Sequence, residues 1–100
     1  MIVREVVFSK TAIKKLFLLL EHLELRWSIK VRTSFEEKLD NCIKILVQMP
    51  DSFPKSEVRK NLYKCVITKQ TTIFYRFNTK KIDISAVFDS RQDPKKIKKI

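Results

Sequence analysis

The spacing of apolar residues changes character along the chain, from a short strand to two helices and then back to strands. Ile2 to Phe8 (IVREVVF) is short and rich in β-branched residues, which reads as a strand ended by Ser9-Lys10-Thr11. Ser9 or Thr11 can cap a helix in which Ala12, Leu16, Leu19, Leu20 and Leu23 recur at helical spacing, ending near Leu25. Trp27-Ser28 makes a corner. Val31, Phe35, Leu39, Cys42, Ile43, Leu46 and Met49 then form a second stripe at three- and four-residue steps, closed by Pro50. So short a connection predicts an antiparallel helical hairpin.

After the loop Asp51 to Ser56, three runs read as strands: Leu62 to Thr68, Thr71 to Phe77 and Ile82 to Phe88. Their connections, Lys69-Gln70 and Asn78 to Lys81, are hairpin length and predict an antiparallel meander. The chain has no glycine, so Asn78 is the expected carrier of a positive φ. The order strand, helical hairpin, three-stranded meander is an α+β fold with helices on one face of the sheet.

Alternation sorts each strand into two faces. Tyr63, Cys65, Ile67, Ile73, Tyr75 and Phe77 should face the helices, with Ile82, Ile84, Ala86 and Phe88 from the last strand. The other face should then carry Lys64, Val66 and Thr68, with Thr72, Phe74 and Arg76, and with Asp83, Ser85, Val87 and Asp89. Arg91 lies just beyond. Lys64, Phe74, Arg76 and Arg91 are therefore the candidate residues for contact with a target or a nucleic acid. The plain structural account is that an antiparallel sheet leaves one face in water and decorates it with charge.

Composition narrows the classes. One hundred residues make a single domain, residues 1–100, ending in a basic tail over 95–100. The net charge of +11 is lopsided: residues 1–50 carry nine Lys and Arg against six acids, and residues 51–100 carry thirteen against five. Such a surface attracts polyanions, whether nucleic acid or an acidic protein segment. The run Leu16 to Leu20 stops at Glu21, too short to span a membrane, and Arg4 and Glu5 interrupt any secretory signal, so a cytoplasmic protein is expected. Cys42 and Cys65 fall at apolar positions and read as separate small core residues. Without glycine there is no phosphate-cradling loop, and one histidine with two separated cysteines does not make a zinc site. No metal, cofactor or small-molecule substrate is expected.

Trp27-Ser28, Phe35, Leu39, Pro50, Phe53-Pro54, the block Val66 to Arg76 (VITKQTTIFYR) and Phe88 to Pro94 (FDSRQDP) together resemble the RelE/ParE superfamily of toxins from bacterial type II toxin-antitoxin systems. The likeness spans nearly the whole chain. It implies a small toxin associated with plasmid stabilisation and held inactive by an acidic antitoxin that folds on binding. RelE-like members cut mRNA on the ribosome, and ParE-like members poison DNA gyrase. By approximate alignment the RelE-like strand arginine falls at Thr72, the strand lysines fall near Tyr63 and Cys65 with Lys64 one place off, and the terminal catalytic tyrosine falls near Ile97. Only Arg91 matches a catalytic arginine.

RNA cleavage by 2′-hydroxyl attack needs a proton acceptor, a proton donor and cations about the phosphate. Lys64, Arg76 and Arg91 can supply charge for a metal-independent endoribonuclease. The only histidine, His22, sits in the first helix. The expected function is thus a ParE-like, gyrase-directed toxin. A ribosome-dependent mRNA endonuclease is the first alternative, and a non-enzymatic basic nucleic-acid-binding domain is the second.

Overall fold

The computed structural model describes residues 4–57 and 59–91. The Gln92-Asp93-Pro94 ending, the Lys95 to Lys99 run and the Ile97 position lie outside the described residues.

Strand β1 (Glu5–Phe8) leads into helix α1 (Lys10–Arg26), whose first turn is closed by Ser9 accepting a hydrogen bond from the Ala12 N–H at 3.0 Å. Ser28 caps helix α2 (Ile29–Gln48) in the same way, accepting from the Val31 N–H. Trp27-Ser28 is therefore the corner that its side chains predict. A 3₁₀ turn at Pro50–Ser52 follows, and the strands β2 (Tyr63–Val66), β3 (Thr71–Phe77) and β4 (Lys81–Asp89) complete the chain.

The meander forms as expected, and β1 joins it. The sheet order is β1-β4-β3-β2, with β1 parallel to β4 (Val6 opposite Ile82) and the other pairs antiparallel. Both helices pack on one face. Leu16, Leu19, Leu20 and Leu23 of α1 and Phe35, Leu39 and Leu46 of α2 meet Ile73, Tyr75, Ile82 and Ile84 of the sheet. Val31 and Met49, placed in the second stripe by spacing, are exposed because they flank that contact.

A register shift between Phe74 and Tyr75 corrects the reading of β4. Tyr75 lies opposite Ile84 and Phe74 opposite Ala86, so Ser85 has no partner of its own. One extra residue reverses the alternation beyond it. Val87 and Asp89 consequently turn towards the helices, while Ala86 and Phe88 turn to the outer face. There they meet Phe74 and Leu62 in a second small core.

Two further expectations change. Asn78 does not take the positive φ; its Oδ1 accepts from the N–H groups of Lys80 and Lys81, holding the β3–β4 turn through its side chain. The positive φ, 64°, belongs to Asn61, in the turn before β2. Cys42 and Cys65 are core residues, but they are not separate: a disulfide joins α2 to β2. Twenty-three residues separate them in sequence, and only the packing of α2 on β2 brings them together.

Candidate functional site

Lys64, Phe74 and Arg76 occupy the outer face of the sheet, as alternation predicts. Arg76 is exposed and forms no ion pair among the described residues. It borders a shallow recess of about 250 Å³ with Val7, Ser9, Asp83 and Ser85, where β1 runs beside β4. Lys64 is half-buried on β2, opposite Phe74.

Phe74 is on the expected face but is not available to a partner. Only 5% of it is exposed, because Leu62 folds over it and over Phe88. The segment before β2 carries Leu62 there. Lys55 bridges to Tyr63, the Ser56 N–H donates to the Leu62 carbonyl, and the Lys64 N–H donates to the Pro54 carbonyl. This strap covers the edge of β2 and seals the second core. Leu62 sits at the start of the predicted strand, and nothing in its spacing announces that role.

Arg91 does not join the outer face. The reversal after Ser85 sends Asp89 inward, and Arg91 follows it to the end of the sheet beside the helical hairpin. Its Nη2 donates to Asp89 Oδ2 at 2.7 Å and its Nε to Oδ1 at 3.1 Å, while its own backbone N–H also reaches Oδ1. Thr71, fully buried, donates its hydroxyl to the same carboxylate and accepts from Arg91 Nη2. Burial raises the Asp89 pKa, but these hydrogen bonds and the guanidinium charge outweigh it and hold the carboxyl below its ordinary value. The side of Arg91 away from Asp89 lines a recess of about 220 Å³ with Ser34, Phe35, Lys38 and Gln70.

The three candidate cations are thus divided. Thr71, which anchors Arg91, stands five residues from Arg76 along β3, about 17 Å by strand rise and on the opposite face. His22 is on α1 and comes to neither place. Among the described residues no group of histidine, cysteine or acid side chains could hold a metal ion.

A set of exposed apolar side chains was passed over by the strand reading: Phe17, Leu18 and Leu25 on α1, with Trp27 and Ile29 at the corner, each between 50% and 74% exposed. Their positions off the core stripe of α1 were the available signal. No helix among the described residues is long and apolar enough to cross a membrane.

The family model of the ParE toxin of type II toxin-antitoxin system, parDE, matches residues 6–94. Among solved structures, the fold is similar to one from a chromosomal ParDE TA system of P. aeruginosa, with a TM-score of 0.72 and 11% identity over 89% of this chain and 98% of that one. It is also similar to a chain of the E. coli DinJ-YafQ toxin-antitoxin complex, with a TM-score of 0.61 and 13% identity over 92% and 98% of the two chains. YafQ from E. coli strain BL21(DE3) gives a TM-score of 0.60 at 14% identity, over 89% and 96%. No curated protein sequence matches.

Proposed function

Because the chain belongs to the ParE toxin family of type II toxin-antitoxin systems, we propose that it arrests growth by acting on DNA gyrase and that an acidic antitoxin holds it inactive. The observation that carries the choice of target is the separation of the cations. Cleavage of RNA needs its charge and its proton-transfer groups around one phosphate. Lys64 and Arg76 stand on the outer face, whereas Arg91 is tied to Asp89 beside the helices. This division favours a toxin that works by binding a protein over one that cuts message. Arg76, exposed and without an ion pair among the described residues, is the residue proposed to contact the target.

The antitoxin is proposed to cover the corner of the helical hairpin. An amphipathic segment would bury Phe17, Leu18, Leu25 and Trp27, and a toxin of charge +11 draws an acidic chain to it. The DinJ-YafQ structure it resembles is a toxin-antitoxin complex, which supports a partner of this kind.

The test pairs detection of gyrase-trapped DNA in cells with message analysis. Inducing the chain in cells should yield DNA breaks covalently trapped on gyrase while translated mRNA stays intact, and Arg76→Ala should reduce the breaks. Cuts within translated codons, with gyrase unaffected, would overturn the target assignment.

A further inference from the structure

From Lys55 to Lys81 the chain carries eight lysines and arginines and a single acid, Glu57. From Lys10 to Gln48 the helices carry eight cations against five acids. The cationic excess of the described residues therefore belongs to the strap, β2, β3 and their turns. Lys64 is half-buried and the other seven cations are exposed. Among the described residues, the ion pair in this set is Lys81 with Asp83, at 3.9 Å on the β4 side.

Register fixes where these charges stand. Lys64 lies opposite Phe74, which makes Arg76 its diagonal neighbour on the outer face, about 7–8 Å away. Two cationic side chains rooted at that separation can reach neighbouring phosphates of one DNA strand. The strap that lays Leu62 on this face carries Arg59 and Lys60, both exposed, three and two residues earlier. The acids of the face are Glu5 on β1 and Asp83 on β4; Asp83 stands directly opposite Arg76 and pairs with Lys81, and the β2 side of the face carries no acid among the described residues.

The same face lacks what a single strand requires. Unpaired bases stack on exposed aromatic rings. Phe74 and Phe88 are its aromatics among the described residues, and Leu62 leaves them 5% and 4% exposed. What remains on this half of the sheet is the charge of Lys64 and Arg76, with Arg59 and Lys60 on the strap, which can meet phosphates but reads no base edge.

We infer that the outer face of the β2–β3 half, with the strap over it, binds the phosphate backbone of duplex DNA without regard to sequence. This contact goes beyond the gyrase proposal and does not depend on it.

Fluorescence anisotropy with a labelled 20-base-pair DNA duplex, at salt from 50 to 200 mM, tests the inference on the full chain. About four to five phosphate contacts give a slope of log K against log salt near −4. Lys64→Ala with Arg76→Ala should weaken duplex binding at least tenfold at 50 mM salt and reduce the slope by about 2. Lys38→Ala with Lys44→Ala on α2 should leave both within twofold, and alanines at Lys95, Lys96, Lys98 and Lys99 should leave most of the binding in place. Circular dichroism on each variant confirms the fold. Tighter binding to single-stranded DNA or RNA of the same length, loss of binding with the tail lysines alone, or an equal loss in the α2 variant would overturn it. Gyrase is absent from the assay, so failure here leaves the target proposal standing.

Discussion

Asp89, with no solvent exposure, grips Arg91 through both carboxylate oxygens, Oδ2 to Nη2 at 2.7 Å and Oδ1 to Nε at 3.1 Å. The two residues are only two apart in sequence, and the guanidinium keeps about a quarter of its side chain in solvent. A bidentate pair of this kind fixes orientation as well as charge. Arg91 is thereby a structural clasp that closes the end of β4 over Thr71.

Removing either partner leaves the other buried or half-buried without a counter-charge. Arg91→Ala should cost about 3 kcal/mol, since it strands a buried carboxylate. Arg76→Ala should cost less than about 0.5 kcal/mol, being an exposed substitution away from any such feature. Urea denaturation of the two variants checks the contrast. Equal costs would show that the clasp does not hold the fold.

The same pair sets an acid limit. The folded-state pKa of Asp89 is depressed, so its contribution is complete above the unfolded value of about 3.9 and is lost as pH falls through the folded value. Stability should therefore fall more steeply below about pH 4 in the native chain than in Asp89→Asn. Thermal melts between pH 2 and 6 measure this. Parallel curves for the two proteins would remove Asp89 from the account.

Tyr75 predicts a limit at the other end. Its ring is fully buried, and its hydroxyl donates to the Pro50 carbonyl at 2.6 Å, joining β3 to the end of α2. Burial, with the nearby Tyr63 and Asp51, pushes its pKa well above the usual tyrosine value. A raised folded pKa gives stability that is present below the unfolded value, about 10, and lost as pH rises towards the folded one. Tyr75→Phe should cost about 1–2 kcal/mol at neutral pH, because it removes the hydrogen bond to the carbonyl of buried Pro50. In ultraviolet titration, the Tyr75 phenolate should appear only with unfolding.

Local pattern carried much of this fold. The stripe from Phe35 to Leu46 gave α2, Ser9 was one of two candidates for the first helix start, Trp27-Ser28 gave the corner, and the alternation of Thr71 to Phe77 gave β3 without error. What local pattern misses is set by pairing across the sheet. The shift at Phe74 and Tyr75 is a property of two strands together, and neither one read alone reveals that Ser85 is passed over. That single residue decides that Asp89 points inward and so that Arg91 leaves the outer face. The Cys42–Cys65 link and the parallel seating of β1 beside β4 are non-local in the same way. Of the candidate site, the exposure of Arg76 was legible and the covering of Phe74 was not. A strap anchored by Pro54 and Leu62 backbone groups leaves no periodic trace.

Leu62 makes that strap testable. It is 1% exposed and covers two phenylalanine rings on what is otherwise the wet side of the sheet. Leu62→Ala should cost about 2–4 kcal/mol through lost burial and the gap it leaves. It should also raise binding of a hydrophobic dye, as Phe74 and Phe88 come into contact with water. A loss under about 1 kcal/mol with no rise in dye fluorescence would mean that the second core contributes little.

The corner of the helical hairpin supplies the last prediction. Trp27 is 63% exposed and Leu18 is 50% exposed, so neither contributes much to the folded chain by itself. Large aromatic and aliphatic anchors of this kind dominate binding energy when a partner buries them. Trp27→Ala and Leu18→Asp should therefore change stability by less than about 1 kcal/mol. Each should nevertheless weaken the complex with a cognate antitoxin by at least tenfold, a loss of about 1.4 kcal/mol or more. In cells, such variants should stay toxic when the antitoxin is co-expressed, whereas the unaltered chain is neutralised. Calorimetric titration of the purified pair measures the affinity. Undiminished binding by both variants would move the antitoxin off the helices and onto the sheet, where Arg76 would become its first contact to examine.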